Sequence, residues 1–304
     1  MSDSAATRLR ALLAEPGLLV VPGAYDALAA RLIEEAGFAA VYATGAGIAN
    51  AYLGWADVGL TTLTEVRDAV RHIVGATRLP VIVDADTGYG NAINVVRTVR
   101  ELEQVGAAAV QLEDQVFPKR CGHFAGKEVV PTGEMVGKLR AAADARQTDL
   151  VLVARTDALA VEGLAGALAR ARAYRAAGAD VLFVEAPRSV DDLKTIGQEL
   201  RGIPLLANMV EGGLTPVLPA SELETLGYKF ALYANTALRA AARGIQRALT
   251  HLARTGSSLG AEELLLPWTE RQRLVRLPEI EALAARYADS AAGDDPHGPS
   301  QGGR

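Results

Sequence analysis

The chain has 304 residues, half of them hydrophobic and only 5% aromatic, with a formal net charge of −5 at pH 7. That length suits one large α/β domain as well as two ordinary ones, and the acidic balance gives no reason to expect nucleic acid or an anionic membrane as partner. A single cysteine, Cys121, excludes an intrachain disulfide and any multi-cysteine zinc site.

The polar start of the sequence does not read as a signal peptide, and no apolar run nears the ~20 residues that span a bilayer. A cytoplasmic protein is the expectation. A first helix is predicted over 5–13, stopped by Pro16-Gly17, and a short apolar run at 18–21 has the character of a buried parallel strand. After a helix over 27–36 one pattern recurs: helix, Gly, apolar strand, polar residue at the strand's end. Gly37 precedes a strand over 40–43 ending at Thr44, Gly106 precedes 108–112 and Glu113, and Gly178 precedes 181–184 and Glu185. Gly in that place is a helix C-cap signal. Proline or charged residues open the other strands: 81–83 before Asp84, 150–153 before Arg155, 205–207 before Asn208, and 230–233. Helices predicted over 63–74, 93–104, 134–146, 164–176, 190–200, 220–226 and 236–253 separate them.

Eight strands alternating with helices predict a closed parallel (β/α)8 TIM barrel, in preference to an open doubly wound sheet. Gly88-Tyr89-Gly90 is too short for a dinucleotide fingerprint. Beyond the barrel, residues 262–266, Pro267-Trp268 and a helix near 280–287 form a C-terminal helical segment that could pack on a neighbouring subunit. We expect a single barrel domain with this extension over 1–288, and a disordered tail over 289–304, where Asp, Gly, Pro and Ser bury too little apolar surface to order.

Active-site groups of such a barrel gather at the C-terminal ends of its strands. Here those ends carry Thr44, Asp84, Asp86, Glu113, Arg155, Asp157, Glu185 and Asn208. Asp84-Ala85-Asp86 with Glu113 on the next strand offers hard oxygen ligands, which suit Mg²⁺ or Mn²⁺. Capping or salt bridging by one aspartate is the plainer alternative. Arg155 has the bidentate geometry to clamp a substrate carboxylate, and Gly45, Ala46 and Gly47 would let backbone N–H groups approach an anion. The long segment 115–131 holds Lys119-Arg120-Cys121-Gly122-His123. Neighbouring cations favour the reactive thiolate, so Cys121 is a candidate acid or base on a loop able to cover the barrel mouth. His123 would bond substrate or orient the thiol. A surface basic loop with an incidental cysteine is the bland alternative.

Asp84-Ala85-Asp86-Thr87-Gly88-Tyr89-Gly90, Glu113-Asp114-Gln115, Lys119–His123, Ala154-Arg155-Thr156-Asp157 and Ala207-Asn208-Met209 together resemble the isocitrate lyase/phosphoenolpyruvate mutase superfamily, in its branch of short methylisocitrate lyase-, dimethylmalate lyase- and phosphonomutase-like proteins. The resemblance implies a barrel whose last helix is exchanged between subunits, in a homotetramer built as a dimer of helix-swapped dimers. It implies Mg²⁺ on Asp84 directly, with Asp86 and Glu113 acting through water. Thr44, Gly45 and Ala46 match the segment that binds the α-keto-acid part, while Gly122, Arg155, Glu185 and Asn208 match substrate contacts. Cys121 matches the proposed proton donor, Lys119 and Arg120 the gating loop, and Arg239 an arginine for a second substrate carboxylate. The expectation is a Mg²⁺-dependent carbon–carbon lyase acting on a small 2-hydroxy di- or tricarboxylate. Phosphonate chemistry, oxaloacetate decarboxylation and a non-catalytic metabolite-binding barrel are the alternatives.

Overall fold

In the computed structural model, residues 4–122 and 126–291 are described. Strands β1 (Leu19–Ala24), β2 (Val41–Ala43), β3 (Val81–Asp84), β4 (Ala109–Glu113), β5 (Val151–Thr156), β6 (Val181–Val184), β7 (Leu205–Asn208) and β8 (Phe230–Tyr233) pair in parallel in chain order and close through β1 and β8. Helix α1 (Ala5–Ala14) precedes β1. The connections hold α2 (Ala27–Glu35), α3 (Gly45–Leu53), α4 (Leu63–Ala76), α5 (Ala92–Gln104), α6 (Thr132–Ala145), α7 (Leu159–Ala176), α8 (Val190–Glu199) and α9 (Ala220–Thr225), and α10 (Thr236–Thr255) follows β8. The (β/α)8 barrel is the expected one, and every predicted strand overlaps an observed one.

The chain divides by internal packing into two units, Met1–Ala242 and Arg243–Arg304. The first holds the barrel. The second contains the rest of α10, a 3-10 turn at Glu262–Leu264, α11 (Trp268–Leu274) and α12 (Leu277–Ala291). The tail expected over 289–304 lies, from residue 292 on, outside the described residues.

The period of two along each strand decides what faces where. On β5, Val151 and Val153 join an inner apolar cluster, while Leu152 and Ala154 join the layer between sheet and helices. The same parity puts Tyr42, Ile82, Ala109, Phe183, Leu206, Phe230 and Leu232 inside the barrel, and Leu9 of α1 belongs to that inner cluster. Full burial of each of the larger apolar side chains among them, such as Ile82, Phe183 and Leu206, contributes about 1.5–3 kcal/mol. One step further up the same faces come Thr44, Asp84, Glu113, Arg155, Glu185 and Asn208.

Two helices depart from expectation. Residues 45–53 form α3 despite two glycines, because the Thr44 side chain caps the Gly47 N–H and Ile48 and Ala49 are buried. Helix α7 starts five residues earlier than predicted; Gly163, with φ of 75°, interrupts it, and helix resumes at the expected Leu164.

Asp114, on the outward parity of β4, is fully buried and accepts from Thr156 Oγ1 (2.7 Å), Tyr174 OH (2.7 Å), Arg170 Nη1 (3.3 Å) and the Asp157 N–H (2.9 Å). Burial raises its pKa above the usual carboxylate value, against the pull of these donors. Tyr174→Phe removes one donor at nearly constant shape and is expected to lower unfolding free energy by about 1–2 kcal/mol. Urea denaturation measures it, and an unchanged midpoint would show the hydroxyl contributes nothing.

Candidate active site

The inward residues near the top of the barrel are chained to one another from below. Tyr42 OH donates to Gln111 Oε1 (2.7 Å), and Gln111 Nε2 donates to Asp84 Oδ1 (3.1 Å), which fixes the carboxylate's orientation. Asp84 Oδ1 also accepts the Asp86 N–H (3.2 Å), and Oδ2 faces the Gly45 N–H (3.4 Å). Asp86 takes a φ of 49°, a conformation that short polar side chains tolerate better than most. Asp84, Asp86 and Glu113 each offer an oxygen within 4.8 Å of the others. Asp86 Oδ1 is buried with only the Lys119 ammonium against it, and Glu113 Oε2 is buried beside the Arg155 guanidinium without a well-formed hydrogen bond. Convergent, under-satisfied carboxylate oxygens without a His or Cys among them fit a hard divalent cation.

Electrostatics agree with that fit. Burial, reinforced by Asp84 and Asp57 and opposed by Lys119, pushes the Asp86 carboxyl up to about 6. Burial likewise carries Glu113 well above its ordinary value, against the attraction of Arg155. Lys119 is itself buried, paired with Asp57 and with Asp86 Oδ1 at 2.8 Å. Desolvation alone would lower its pKa, but those carboxylates hold it well above the ordinary lysine value.

Arg155 stands beside this triad. Its Nε and Nη2 donate to Asp157 (2.9 and 3.1 Å), Nη1 lies 3.3 Å from Glu113 Oε2, and Nη2 lies 3.8 Å from Glu185 Oε1. Its guanidinium carbon is 5.3 Å from the Phe183 ring centre. Asn208 Nδ2 donates to Glu185 Oε1 (3.3 Å). The segment after β4 is pinned over these groups. Gln115 bonds both the N–H (2.9 Å) and the carbonyl (2.8 Å) of Arg120, and the Val116 N–H donates to Glu128 O (2.9 Å). Gly122 is required at its place: an ideal Cβ would fall 2.1 Å from Glu185 Oε1.

A cavity of about 340 Å³ results, lined among others by Thr44, Ala46, Asp57, Asp84, Cys121, Gly122, Arg155, Glu185 and Asn208. Most of the expected site residues thus meet in one place. Of the glycine-rich segment after β2, the Gly45 and Gly47 N–H groups are directed to Asp84 and to Thr44 Oγ1. Arg239 does not line the cavity; it is exposed and donates to Glu211 O (2.7 Å) and Glu211 Oε2 (3.2 Å). Glu211 is the residue of that pair on the cavity wall. His123 lies outside the described residues. Sequence reasoning missed Asp57, in a loop without periodicity, and Lys127. Tyr42 and Gln111 were detectable, being inward by strand parity.

A family model described as phosphoenolpyruvate phosphomutase matches residues 9–253. The chain is 44% identical over 284 residues to 2,3-dimethylmalate lyase of Eubacterium barkeri, covering 93% of this chain and 98% of that one. It is 51% identical over 274 residues to a probable 2-methylisocitrate lyase of Corynebacterium glutamicum, covering 90% and 86%. A crystal structure of 2,3-dimethylmalate lyase superposes with a TM-score of 0.88 at 41% identity, covering 96% and 97%.

A proton and a cation compete for Asp86, whose folded-state pKa is raised. Affinity for a divalent cation is therefore expected to be full above about pH 6 and to fall as the pH drops through that value, by up to about tenfold per unit. Titration with Mn²⁺ as probe between about pH 5 and about pH 7.5 checks this, and a flat profile would contradict it.

Proposed function

This chain belongs to the phosphoenolpyruvate mutase/isocitrate lyase superfamily and to its carbon–carbon lyases; from that premise we propose that it cleaves a 2-hydroxydicarboxylate of the 2,3-dimethylmalate type into an α-keto acid and a carboxylate. The observation that carries the reading is the one cavity lined by Cys121, Arg155, Glu185, Asn208 and Asp84, with Asp86 and Glu113 grouped around Asp84. The longer 2-methylisocitrate-type tricarboxylate is the second reading. Arg239, the group expected to hold a further carboxylate, is engaged by Glu211 instead, which favours the shorter substrate.

Asp84 would hold Mg²⁺, or Mn²⁺, directly, with Asp86 and Glu113 acting through water. The ion would supply positive charge opposite the substrate's carboxylate and 2-oxygen. Arg155 offers a planar fork to the same carboxylate, Thr44, Gly45 and Ala46 enclose the part that becomes the keto acid, and Gly122, Glu185 and Asn208 orient it. As the hydroxyl proton leaves to solvent, the C2 carbonyl forms and the C–C electron pair passes to the departing fragment's α-carbon. The Cys121 thiol delivers a proton to that carbon and the thiolate is reprotonated from solvent after release, so the two proton transfers cancel and no water is consumed. His123 is assigned to orienting the thiol, and Lys119 and Arg120 to holding the segment over the cavity, which keeps water from the carbanionic fragment.

We also propose the cytoplasm as its place and a homotetramer of helix-swapped dimers as its assembly. In the second unit Ile280, Leu283 and Tyr287 of α12 are exposed, which supports a partner for that helix. Sedimentation showing a monomer would remove the assembly.

Cys121→Ser is expected to lower kcat by about a thousandfold or more, with binding of Mg²⁺ and of an α-keto acid preserved. Turnover by that variant would overturn the assignment. A panel of dimethylmalate, methylisocitrate, oxaloacetate and phosphonopyruvate followed by NMR is expected to give the highest kcat/KM with dimethylmalate. Preference for phosphonopyruvate would replace the lyase reading by phosphonate chemistry.

A further inference from the structure

Lys127 is used by none of the chemistry above, yet its side chain is only 1% exposed. An ammonium is costly to bury unless charged and polar acceptors surround it. Its Nζ donates to the Gly122 carbonyl at 2.5 Å and to Asp157 Oδ1 at 2.8 Å. Asp157 is the carboxylate that also accepts both Arg155 contacts, so one side chain is shared between a cation on the loop and the guanidinium at the cavity. Burial alone would raise the Asp157 pKa, but Arg155 and Lys127 outweigh it and keep the value below the usual range, so the carboxylate stays ionised between them.

The captured carbonyl is one residue from the thiol. Its own residue, Gly122, already packs without room for a Cβ against Arg155 and Glu185. The tethers from Gln115 and Lys119 hold this stretch before Cys121, whereas Lys127 reaches it from the other side. Lys127 does not line the cavity, so its influence falls on where the thiol stands rather than on what the substrate touches.

We propose that Lys127 is a positioning residue that, through the Gly122 carbonyl, holds Cys121 at the cavity and, through Asp157, ties that position to Arg155. The kinetic consequence rests on Cys121 acting as proton donor; the structural one does not. Because Cys121 is the chain's one thiol, its rate of reaction with a thiol reagent reports the position of this backbone without any substrate.

Lys127→Met keeps the aliphatic stem and removes the charge and both bonds. It is expected to speed modification of Cys121 by about tenfold or more, the scale of a lost charge-assisted hydrogen bond. In turnover kcat falls by a similar factor while KM changes little, since Arg155 keeps Asp157. Lys127→Arg retains charge and two donors and restores part of both losses. Unchanged labelling and unchanged kcat in the Met variant would overturn the proposal. So would equal losses in the Met and Arg variants accompanied by a lowered Tm, the mark of a residue that only supports the fold. If Lys127→Met does not fold, Lys127→Gln, able to bond one partner but not both, carries the same readouts. Wild-type protein inactive on every carboxylate tried would remove the lyase reading, and the labelling rates would still decide the role of Lys127.

Discussion

Arg155 is 8% exposed and surrounded by Glu113 and Glu185 from the two neighbouring strands and Asp157 from the end of its own. A guanidinium cannot shed its charge, so burying it demands acceptors on several sides. The carboxylates outnumber the cations, however. Asp57, Asp84, Asp86, Glu113, Asp157 and Glu185 face Lys119, Lys127 and Arg155, six against three. The excess falls on the Asp84, Asp86 and Glu113 side, where burial, reinforced by neighbouring carboxylates, raises the pKa values of Asp86 and Glu113. It also decides how an anion can enter. A substrate carboxylate brought to Arg155 meets a mouth that is already net negative, and a divalent cation on the triad is the economical way to reverse that sign.

What the sequence revealed follows from the same strand geometry. Once a run such as 150–153 is taken as a strand, alternate residues fall on one face, and Arg155 inherits the inward direction of Val151 and Val153. Asp84, Glu113 and Asn208 follow in the same way, which is why residues from six separate strand ends could be grouped from the sequence. The rule stops where the period stops. Asp57 comes from a loop with no repeat to orient it, yet it completes the pairing of Lys119. Lys127 lies five residues after Gly122, at a spacing that neither helix nor strand connects, and only the path of the loop brings its Nζ back to that carbonyl. Helix α3 was hidden by Gly45 and Gly47, poor helix formers whose cost is met by the Thr44 cap and buried neighbours. Arg239 carried the right charge by resemblance, but Glu211 lies close enough to claim it.

The parity that builds the cavity also separates two buried polar systems that a register slip of one residue would exchange. Glu113 faces inward to Asp84, Asp86 and Arg155, while Asp114, the next residue, faces outward to Thr156, Arg170 and Tyr174. The two systems meet where the Asp157 N–H donates to Asp114 Oδ1 at 2.9 Å. Arg170 also holds the carbonyl of Val130, and the Val130 N–H donates to the Asp114 carbonyl, at the far root of the loop that carries Cys121. The outer network therefore fixes both the turn that presents Asp157 to Arg155 and Lys127 and the point at which the loop rejoins the barrel. Stability and placement of the cavity's charged groups are coupled through Asp114, although that residue does not line the cavity.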